Sequence, residues 1–329
     1  MVSNPRIYRI SQINAKLSDC FRQRIDFYPF EFYNHSMNIT RCDLCPNMCG
    51  VDRTTNHGLC GVSATPRIAR IGLHMYEEPI ISGEKGSGTI FFSGCNMKCL
   101  FCQNYDVSAR AKGIETTVDE IIQKIKTLEE NGAHNINFVT PTHFVHIVKE
   151  ILTKYKPKIP VVYNTSSYER PEILRELEGL VDIYLPDLKY FSSELSFTLS
   201  QKRNYFEIAT RAIDEMFRQT GKFVIENGIM KKGIIIRHLV LPTQTDDSIE
   251  ILKYIKNCYR DDVWLSLMSQ YTPEGKAKTL PPYDRPLKKL EYTRVVQYAK
   301  RLGFENCFIQ SHESVGEYFI PPFEGDTLY

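Results

Sequence analysis

The chain has 329 residues, 42% of them apolar, which suffices for one large domain and a smaller appendage around a sizeable core. Its 41 basic and 39 acidic side chains leave a formal charge of +2, which excludes a global field attracting nucleic acid or a membrane surface. No apolar run approaches the roughly 18 residues of a membrane span, and the first residues lack a signal peptide's apolar core, so we expect a soluble, cytoplasmic protein.

Residues 1–40 are predicted to form an arm that packs against the rest of the chain. Ile7, Ile10, Ile13 and Leu17 offer apolar contacts along this arm. Five basic side chains within residues 1–30 are also compatible with a transit peptide, but the apolar spacing favours the packed arm.

Ten cysteines are present, and seven of them lie in two tight groups within residues 42–102. A cytosolic compartment keeps thiols reduced, so this clustering indicates metal binding rather than a disulfide framework. Cys20, Cys258 and Cys307 stand singly outside the groups and are interpreted as small buried hydrophobic side chains.

The first cysteine group lies in a predicted cysteine-rich metal-binding segment, residues 41–84. Its four thiols follow the spacing C-x2-C-x3-C-x10-C and belong to Cys42, Cys45, Cys49 and Cys60. Four ligands can complete a zinc site or an iron-sulfur cluster, and His57 could replace one thiolate. Zinc would stabilise the fold of the segment, whereas an iron-sulfur cluster could relay electrons. The cysteine spacing leaves both alternatives open.

A glycine-rich link at residues 82–88 leads into a long region in which strands and helices alternate. Apolar periodicity predicts strands at residues 89–92, 136–139, 161–163, 183–185, 234–240 and 264–267, and a short last run at 307–309. Helices are predicted between them at residues 118–128, 144–152, 171–180, 205–219, 247–258 and 287–302. Thr117 and Glu120 predict a capping box at the start of the first helix.

Six strands that alternate with helices predict parallel pairing through right-handed crossovers. Both an α/β barrel and a doubly wound sheet satisfy this order. Polar residues or turn formers follow the strands where helices begin, as at a barrel's active-site face, and these are Gly94, Thr140, Asn164, Asp187 and Pro242. We therefore predict an α/β fold, a partial (β/α)6 TIM-like barrel over residues 85–310, followed by an irregular tail at 311–329.

The second cysteine group, Cys95, Cys99 and Cys102, comes directly after the first predicted strand, with Phe101 before its last member. Three thiolates can hold three corners of a [4Fe-4S] cluster and leave the fourth iron open to a ligand that is not protein. A structural zinc site would need a fourth protein ligand, and the nearest histidines in sequence are His74 and His134.

The C-x3-C-x2-C spacing, Phe101 and the preceding strand resemble the radical S-adenosylmethionine (SAM) superfamily. Within it, the chain resembles the pyruvate formate-lyase activating enzyme group, in an uncharacterised branch with an N-terminal four-cysteine motif. The resemblance implies that SAM binds the open iron and is cleaved reductively to methionine and a 5′-deoxyadenosyl radical, which abstracts hydrogen. It also implies a glycine of a partner glycyl-radical protein as the hydrogen source, with flavodoxin or ferredoxin as electron donor. A peptide or small-molecule substrate is the alternative.

The resemblance further implies SAM contacts at the strand ends. Asn164 and Ser166 follow one strand, and Asp187 and Lys189 follow the next within Leu-Pro-Asp-Leu-Lys. Lys189 would meet the SAM carboxylate or ribose as a point charge, and Asp187 would orient it or accept from a hydroxyl. Phe101, within the cysteine motif, belongs to the same set of expected cofactor contacts.

Arg237 lies inside the predicted strand at residues 234–240. A buried guanidinium needs an anionic partner, and a bound carboxylate would supply one. Strand alternation places Arg237 and His238 on opposite faces, and we predict that Arg237 points inward.

The chain departs from the superfamily after the second strand. Many members have a Gly-Gly-Glu turn there, whereas residues 139–143 read Val-Thr-Pro-Thr-His. Thr140 and Thr142 are predicted to accept a hydrogen bond from the SAM amino group in its place. His143 and His146 lie at i, i+3, and we predict polar packing for them rather than a metal pair.

A different class of function is a non-catalytic iron-sulfur or zinc protein that transfers electrons or acts as a scaffold. The four-cysteine group motivates this alternative. It requires protein ligands at every metal position, whereas only three cysteines are available around Cys95.

Overall fold

The computed structural model describes residues 37–311, so most of the predicted arm, Cys20 and nearly all of the predicted tail lie outside the described residues. The strands are β1 (Arg67–His74), β2 (Ser87–Phe92), β3 (Ile114–Glu115), β4 (Ile136–Val139), β5 (Val161–Thr165), β6 (Ile183–Pro186), β7 (Val224–Glu226), β8 (Ile229–Leu239), β9 (Trp264–Met268) and β10 (Cys307–Ile309). The α-helices are α1 (Pro79–Ser82), α2 (Tyr105–Ser108), α3 (Val118–Glu130), α4 (Val145–Lys154), α5 (Pro171–Leu174), α6 (Ser193–Ser200), α7 (Tyr205–Thr220), α8 (Thr245–Tyr259) and α9 (Lys289–Arg301).

The described strands form one open sheet in the order β10-β9-β8-β6-β5-β4-β2-β1-β3, with β7 paired to β8. All neighbours from β2 to β10 along this order are parallel, and β1 joins β2 antiparallel. The predicted α/β fold with a parallel sheet is confirmed. The sheet does not close, as a partial barrel requires.

Burial explains why these segments become central strands. Every residue of β2, β4, β5 and β6 is buried, which is typical of parallel strands covered on both faces. Alternate side chains in β8 reach different apolar clusters, because Ile234 and Ile236 join the main core while Ile235 packs with Ile81 of α1. This alternation directs Arg237 to the same face as Ile235.

The helices cover the outer side of the sheet with amphipathic faces. Helix α3 buries Val118, Ile121, Ile122, Ile125 and Leu128, and the predicted capping box between Thr117 and Glu120 is present. Helix α7 ends at Gly221, which has a φ of +66°. Within residues 37–311, no helix is both long and apolar enough to cross a lipid bilayer.

Some features differ from the sequence-based expectation. Strand β1 and helix α6 were not predicted, and β1 pairs with β2 across the glycine-rich link, so the sheet contains residues from both sides of that link. The predicted helix at 171–180 is short, because a 3-10 turn at Arg175–Leu177 follows α5 and Glu178 takes an extended ψ of 125°. Cys258 is buried, as predicted, but it is disulfide-bonded rather than a lone side chain, and Cys307 is a free thiol that is only partly buried.

Candidate active site

A cavity of about 740 Å³ opens at the carboxyl ends of the parallel strands. Thr140 follows β4, Asn164 lies in β5, Asp187 follows β6 and Arg237 lies near the end of β8. Because the carboxyl ends of parallel strands meet at one edge of a sheet, these four side chains line the same cavity. Other predicted site residues also line it, namely Cys95, Cys99, Phe101, Cys102, Ser166 and Lys189.

The loop after β2 brings the three cysteines of the second group to the cavity wall. Burial raises the pKa of Cys95 to about 12 and also raises the pKa of Cys102. Ser200 Oγ donates a hydrogen bond to Cys99 Sγ at 3.1 Å, and Met97 N donates to Cys95 Sγ at 3.4 Å. Because buried thiolates need the positive charge of a bound metal, this donor set fits an iron-sulfur cluster with three protein ligands.

An ion-pair network centred on Asp187 lines the same cavity. Asp187 accepts from Lys189 Nζ at 2.6 Å and from Arg237 Nε at 2.8 Å. Arg237 also pairs with Glu77 Oε2 at 3.3 Å and donates to Asn164 Oδ1 at 2.6 Å. The prediction that Arg237 points inward is confirmed. Glu77, 160 residues earlier, also reaches Arg237, so the guanidinium has carboxylate partners within the protein.

Electrostatics keep both sides of this network charged. Burial alone would raise the pKa of Asp187, but Arg237 and Lys189 hold that pKa below its ordinary value. Burial alone would lower the pKa of Lys189, but Asp187 and the Cys99 thiol raise it above its ordinary value. The cavity wall therefore presents paired, fixed charges next to the cysteine loop.

Sequence reasoning missed two acidic residues of the cavity, Glu77 and Glu78. Burial raises the pKa of both carboxyl groups, although Arg237 opposes this shift. Glu78 Oε2 is buried and has no hydrogen-bond partner within residues 37–311. In the sequence, the two residues form an acidic pair directly before Pro79, just ahead of the glycine-rich link, and this pair could have indicated them.

Thr140 occupies the turn where the superfamily resemblance leads us to expect glycine. Its φ of +57° lies in the left-handed region, which is strained for a β-branched residue and free of strain for glycine. Thr140 N donates to Asn164 O at 2.9 Å, so the strained turn is tied to β5. Nearby, Ser166 Oγ is buried without a hydrogen-bond partner among the described residues and lines the cavity.

Thr142 does not line the cavity, contrary to its predicted contact with SAM. It begins the 3-10 turn Thr142–Phe144, which directs its side chain into the interior. There Thr142 Oγ1 and Thr165 Oγ1 each donate to Glu169 Oε1 at 2.5 Å. Glu169 was not singled out from the sequence, and no local pattern indicates it.

The buried carboxyl group of Glu169 is expected to titrate near neutral pH. Burial raises its pKa to about 7, and its Oε2 atom has no partner within the described residues and can hold the proton. Because folding raises this pKa, the group favours the folded state at low pH and loses that contribution as the pH rises through about 7. Infrared difference spectra should show a protonated carboxyl band that disappears near pH 7 and is absent from Glu169→Gln. Identical wild-type and variant spectra at pH 5 and 9 would contradict this assignment.

The first cysteine group packs beside the second one. Cys42, Cys45 and Cys60 are buried and Cys49 is partly buried. Burial raises the pKa of Cys45 to about 12, and the Cys42 and Cys49 side chains are hydrogen-bonded to each other. Among residues 37–311, no three His, Cys, Asp or Glu side chains lie close enough together to hold a single metal ion, a spacing that a cluster of several iron atoms does not require.

Arg53, which sequence reasoning missed, anchors this segment to the barrel. It is fully buried, and its guanidinium donates to the carbonyl oxygens of His143 at 2.6 Å and Ser63 at 2.5 Å. His143 Nε2 in turn lies 2.8 Å from Ser93 O, and His146 Nε2 lies 3.3 Å from Ala64 O. Both histidines thus have the polar packing contacts that were predicted for them.

Several known proteins are similar to this chain. A family model described as the radical SAM superfamily matches residues 89–255. Uncharacterized protein MJ0674 of Methanocaldococcus jannaschii is 32% identical over 275 residues, covering 80% of this chain and 75% of that protein. The pyruvate formate-lyase-activating enzyme of Clostridium pasteurianum is 25% identical over 186 residues, covering 53% of this chain and 70% of that enzyme. The solved structure of methylornithine synthase aligns with a TM-score of 0.47 and 16% identity, covering 65% of this chain and 62% of the synthase, less than two thirds of its length.

The family match extends from β2 through most of α8 and so includes the loop with Cys95, Cys99 and Cys102. It also includes the strand ends that contribute Thr140, Asp187 and their neighbours to the cavity. Proteins of this family use a [4Fe-4S] cluster and SAM, and the three-thiol donor set at the cavity wall fits that cluster. This chain belongs to the radical SAM superfamily.

Proposed function

We propose that this chain is an activating-enzyme-like radical SAM oxidoreductase that removes a hydrogen atom from a glycine of a partner protein. The observation that carries the proposal is that two buried cysteines, the partly buried Cys102 and the polar strand-end residues share one cavity. A cluster bound by Cys95, Cys99 and Cys102 supplies the electron for reductive cleavage of SAM to a 5′-deoxyadenosyl radical.

The cavity side chains orient SAM in this proposal. Lys189 lies near the Cys99 thiol and carries a charge that meets the SAM carboxylate. Ser166 Oγ and Thr140 offer polar contacts on the neighbouring strand ends. Arg237 acts as a positioning residue, since it holds Asp187 and Asn164 in place through its guanidinium.

A protein substrate is supported by the rim of the cavity. Three cavity-lining side chains on this rim are large, apolar and exposed, namely Met75, Tyr76 and Ile309. Exposed apolar side chains beside a polar cavity suit the docking of a polypeptide loop. The similarity to pyruvate formate-lyase-activating enzymes supports a glycine-containing partner, and flavodoxin or ferredoxin would donate the electron.

The test uses anaerobically reconstituted full-length protein reduced with dithionite. We expect an electron paramagnetic resonance signal that shifts when SAM is added, together with 5′-deoxyadenosine as product. Cell extract from cultures grown on α-deuterated glycine should then yield deuterated 5′-deoxyadenosine, whereas unlabelled extract should not.

An unshifted cluster signal without 5′-deoxyadenosine would contradict the enzymatic function and favour a non-catalytic electron carrier or scaffold. Cleavage of SAM without deuterium transfer would keep the radical chemistry and reject the glycine substrate. Met75→Ser combined with Tyr76→Ser provides a matched variant, because these rim residues lie outside the cysteine loop. We expect this double variant to transfer less deuterium from the labelled extract to 5′-deoxyadenosine. Its cluster signal should still shift when SAM is added.

A further inference from the structure

A backbone hydrogen bond joins the two cysteine groups. Cys95 N donates to Cys60 O at 3.1 Å. Gly94 makes this approach possible, because its φ is +82° and a Cβ atom there would lie 2.7 Å from Cys60 O. The path from Cys60 Sγ to Cys95 Sγ therefore consists of the two cysteine side chains, the Cys60 carbonyl group and one hydrogen bond to Cys95 N.

Side chains strengthen the same junction. Asn47 Nδ2 donates to Asn96 O at 2.8 Å, and Lys202 Nζ donates to Asn47 Oδ1 at 2.7 Å. Lys202 is half-buried and interacts electrostatically with Cys45 of the first group and with Cys95 and Cys99 of the second. A cation between the two groups stabilises negative charge on both.

Arg53 provides a second indication of charge at the first group. Its guanidinium is fully buried and lies 3.9 Å from Cys42 Sγ, and its shorter hydrogen bonds go to carbonyl oxygens rather than to a carboxylate. A buried cation without an anion is unfavourable. A centre bound by four thiolates is anionic and supplies the missing negative charge.

Access for an external reductant also differs between the groups. In the proposed function SAM and substrate fill the cavity that the partly exposed Cys102 lines with Cys95 and Cys99, so a protein donor has no open approach from that side. Cys49 is partly exposed, and the neighbouring Met48 and Leu59 are 60% and 59% exposed. The first group is therefore nearer to a surface where a redox protein can dock.

We propose that Cys42, Cys45, Cys49 and Cys60 bind a second iron-sulfur cluster that delivers electrons to the SAM-binding cluster through the Cys60–Cys95 hydrogen bond. One electron leaves a reduced donor of the flavodoxin or ferredoxin class, reduces the second cluster and then moves to the first, which reoxidises the second. Zinc cannot perform this step because it has no redox chemistry. The proposal rests on the proposed SAM-cleaving function of the cavity.

The first test is the metal content of the unaltered, anaerobically purified chain. Two [4Fe-4S] clusters require about eight iron and eight sulfide per chain, and one cluster with zinc requires about four iron and one zinc. We expect about eight iron and eight sulfide, and a content of about four iron with one zinc would overturn the proposal. This measurement does not depend on the folding of a variant.

The second test compares Cys49→Ser with Cys307→Ser, which replaces a free thiol outside both groups. We expect Cys49→Ser to lose one cluster, to keep the SAM-responsive resonance signal, and to lose SAM cleavage driven by flavodoxin hydroquinone but not by dithionite. Cys307→Ser should match the wild type in all three readouts. Equal flavodoxin-driven cleavage by Cys49→Ser and wild type would overturn the relay, whereas absence of cleavage by wild type with dithionite would overturn the underlying function instead.

Discussion

Replacing Cys99 with alanine is expected to abolish reductive SAM cleavage, with a loss of at least about 10³-fold, equivalent to about 4 kcal/mol of activation free energy. Cys99 is a buried thiol, one of the three proposed cluster ligands, and its Sγ accepts a hydrogen bond from Ser200. The expected cluster already has one iron without a protein ligand. Losing one of its three cysteine ligands leaves the cluster weakly bound. Iron content, the resonance signal and 5′-deoxyadenosine formation measure the effect.

Cys307→Ala is the matched control for this variant. Cys307 is a free, partly buried thiol in β10 and belongs to neither cysteine group. We expect it to retain the wild-type cluster signal and SAM cleavage. If Cys99→Ala kept the full SAM-responsive signal and formed 5′-deoxyadenosine at the wild-type rate, Cys99 would not be a cluster ligand.

Replacing Arg237 with alanine is expected to lower the free energy of unfolding by about 3–5 kcal/mol, because it leaves the buried Glu77 carboxylate without its cation and Asp187 with Lys189 alone. Arg237 pairs with Asp187 at 2.8 Å and with Glu77 at 3.3 Å, and its own side chain is 15% exposed. Arg237→Lys should fall between wild type and alanine, since a lysine cannot reproduce both ion pairs and the bond to Asn164. Denaturant titrations of the reconstituted proteins under anaerobic conditions measure the difference.

The control for charge removal is Arg294→Ala. Arg294 pairs with Asp246 at 2.6 Å, but the two side chains are 55% and 84% exposed, so the expected change is within about 1 kcal/mol. An Arg237→Ala variant as stable as Arg294→Ala would contradict the structural importance of the cavity network. Both variants remove one positive charge, but only Arg237→Ala breaks a buried ion pair. The difference between their free energies of unfolding therefore measures the effect of burial.

Local patterns in the sequence were sufficient for much of the fold and for the cysteine loop. Apolar runs predicted β4 at its observed bounds. Thr117 and Glu120, three residues apart, predicted the capping box that begins α3. The spacing of Cys95, Cys99 and Cys102 indicated the cluster, since a loop of eight residues brings its own ligands together. Alternation along β8 also predicted the inward direction of Arg237, because neighbouring strand residues face opposite sides.

Other local patterns were misleading because a turn redirected the chain. Thr142 lies two residues after Thr140, yet the 3-10 turn points it to Glu169 instead of the cavity. The segment at 171–180 has helical apolar spacing, but its α-helix ends at Leu174 and the 3-10 turn that follows ends at Leu177. Spacing predicts which residues can share a face only while the backbone remains regular.

The sequence by itself determined the α/β fold class, most of the secondary structure and the three-cysteine motif, because those depend on residues close together in the chain. Only the tertiary structure decided that Glu77 pairs with Arg237 and that Cys60 meets Cys95. It also decided that Arg53 is buried between the cysteine segment and the carbonyl group of His143. These contacts join residues up to 160 positions apart, and such pairings depend on which strand ends and loops the sheet brings together.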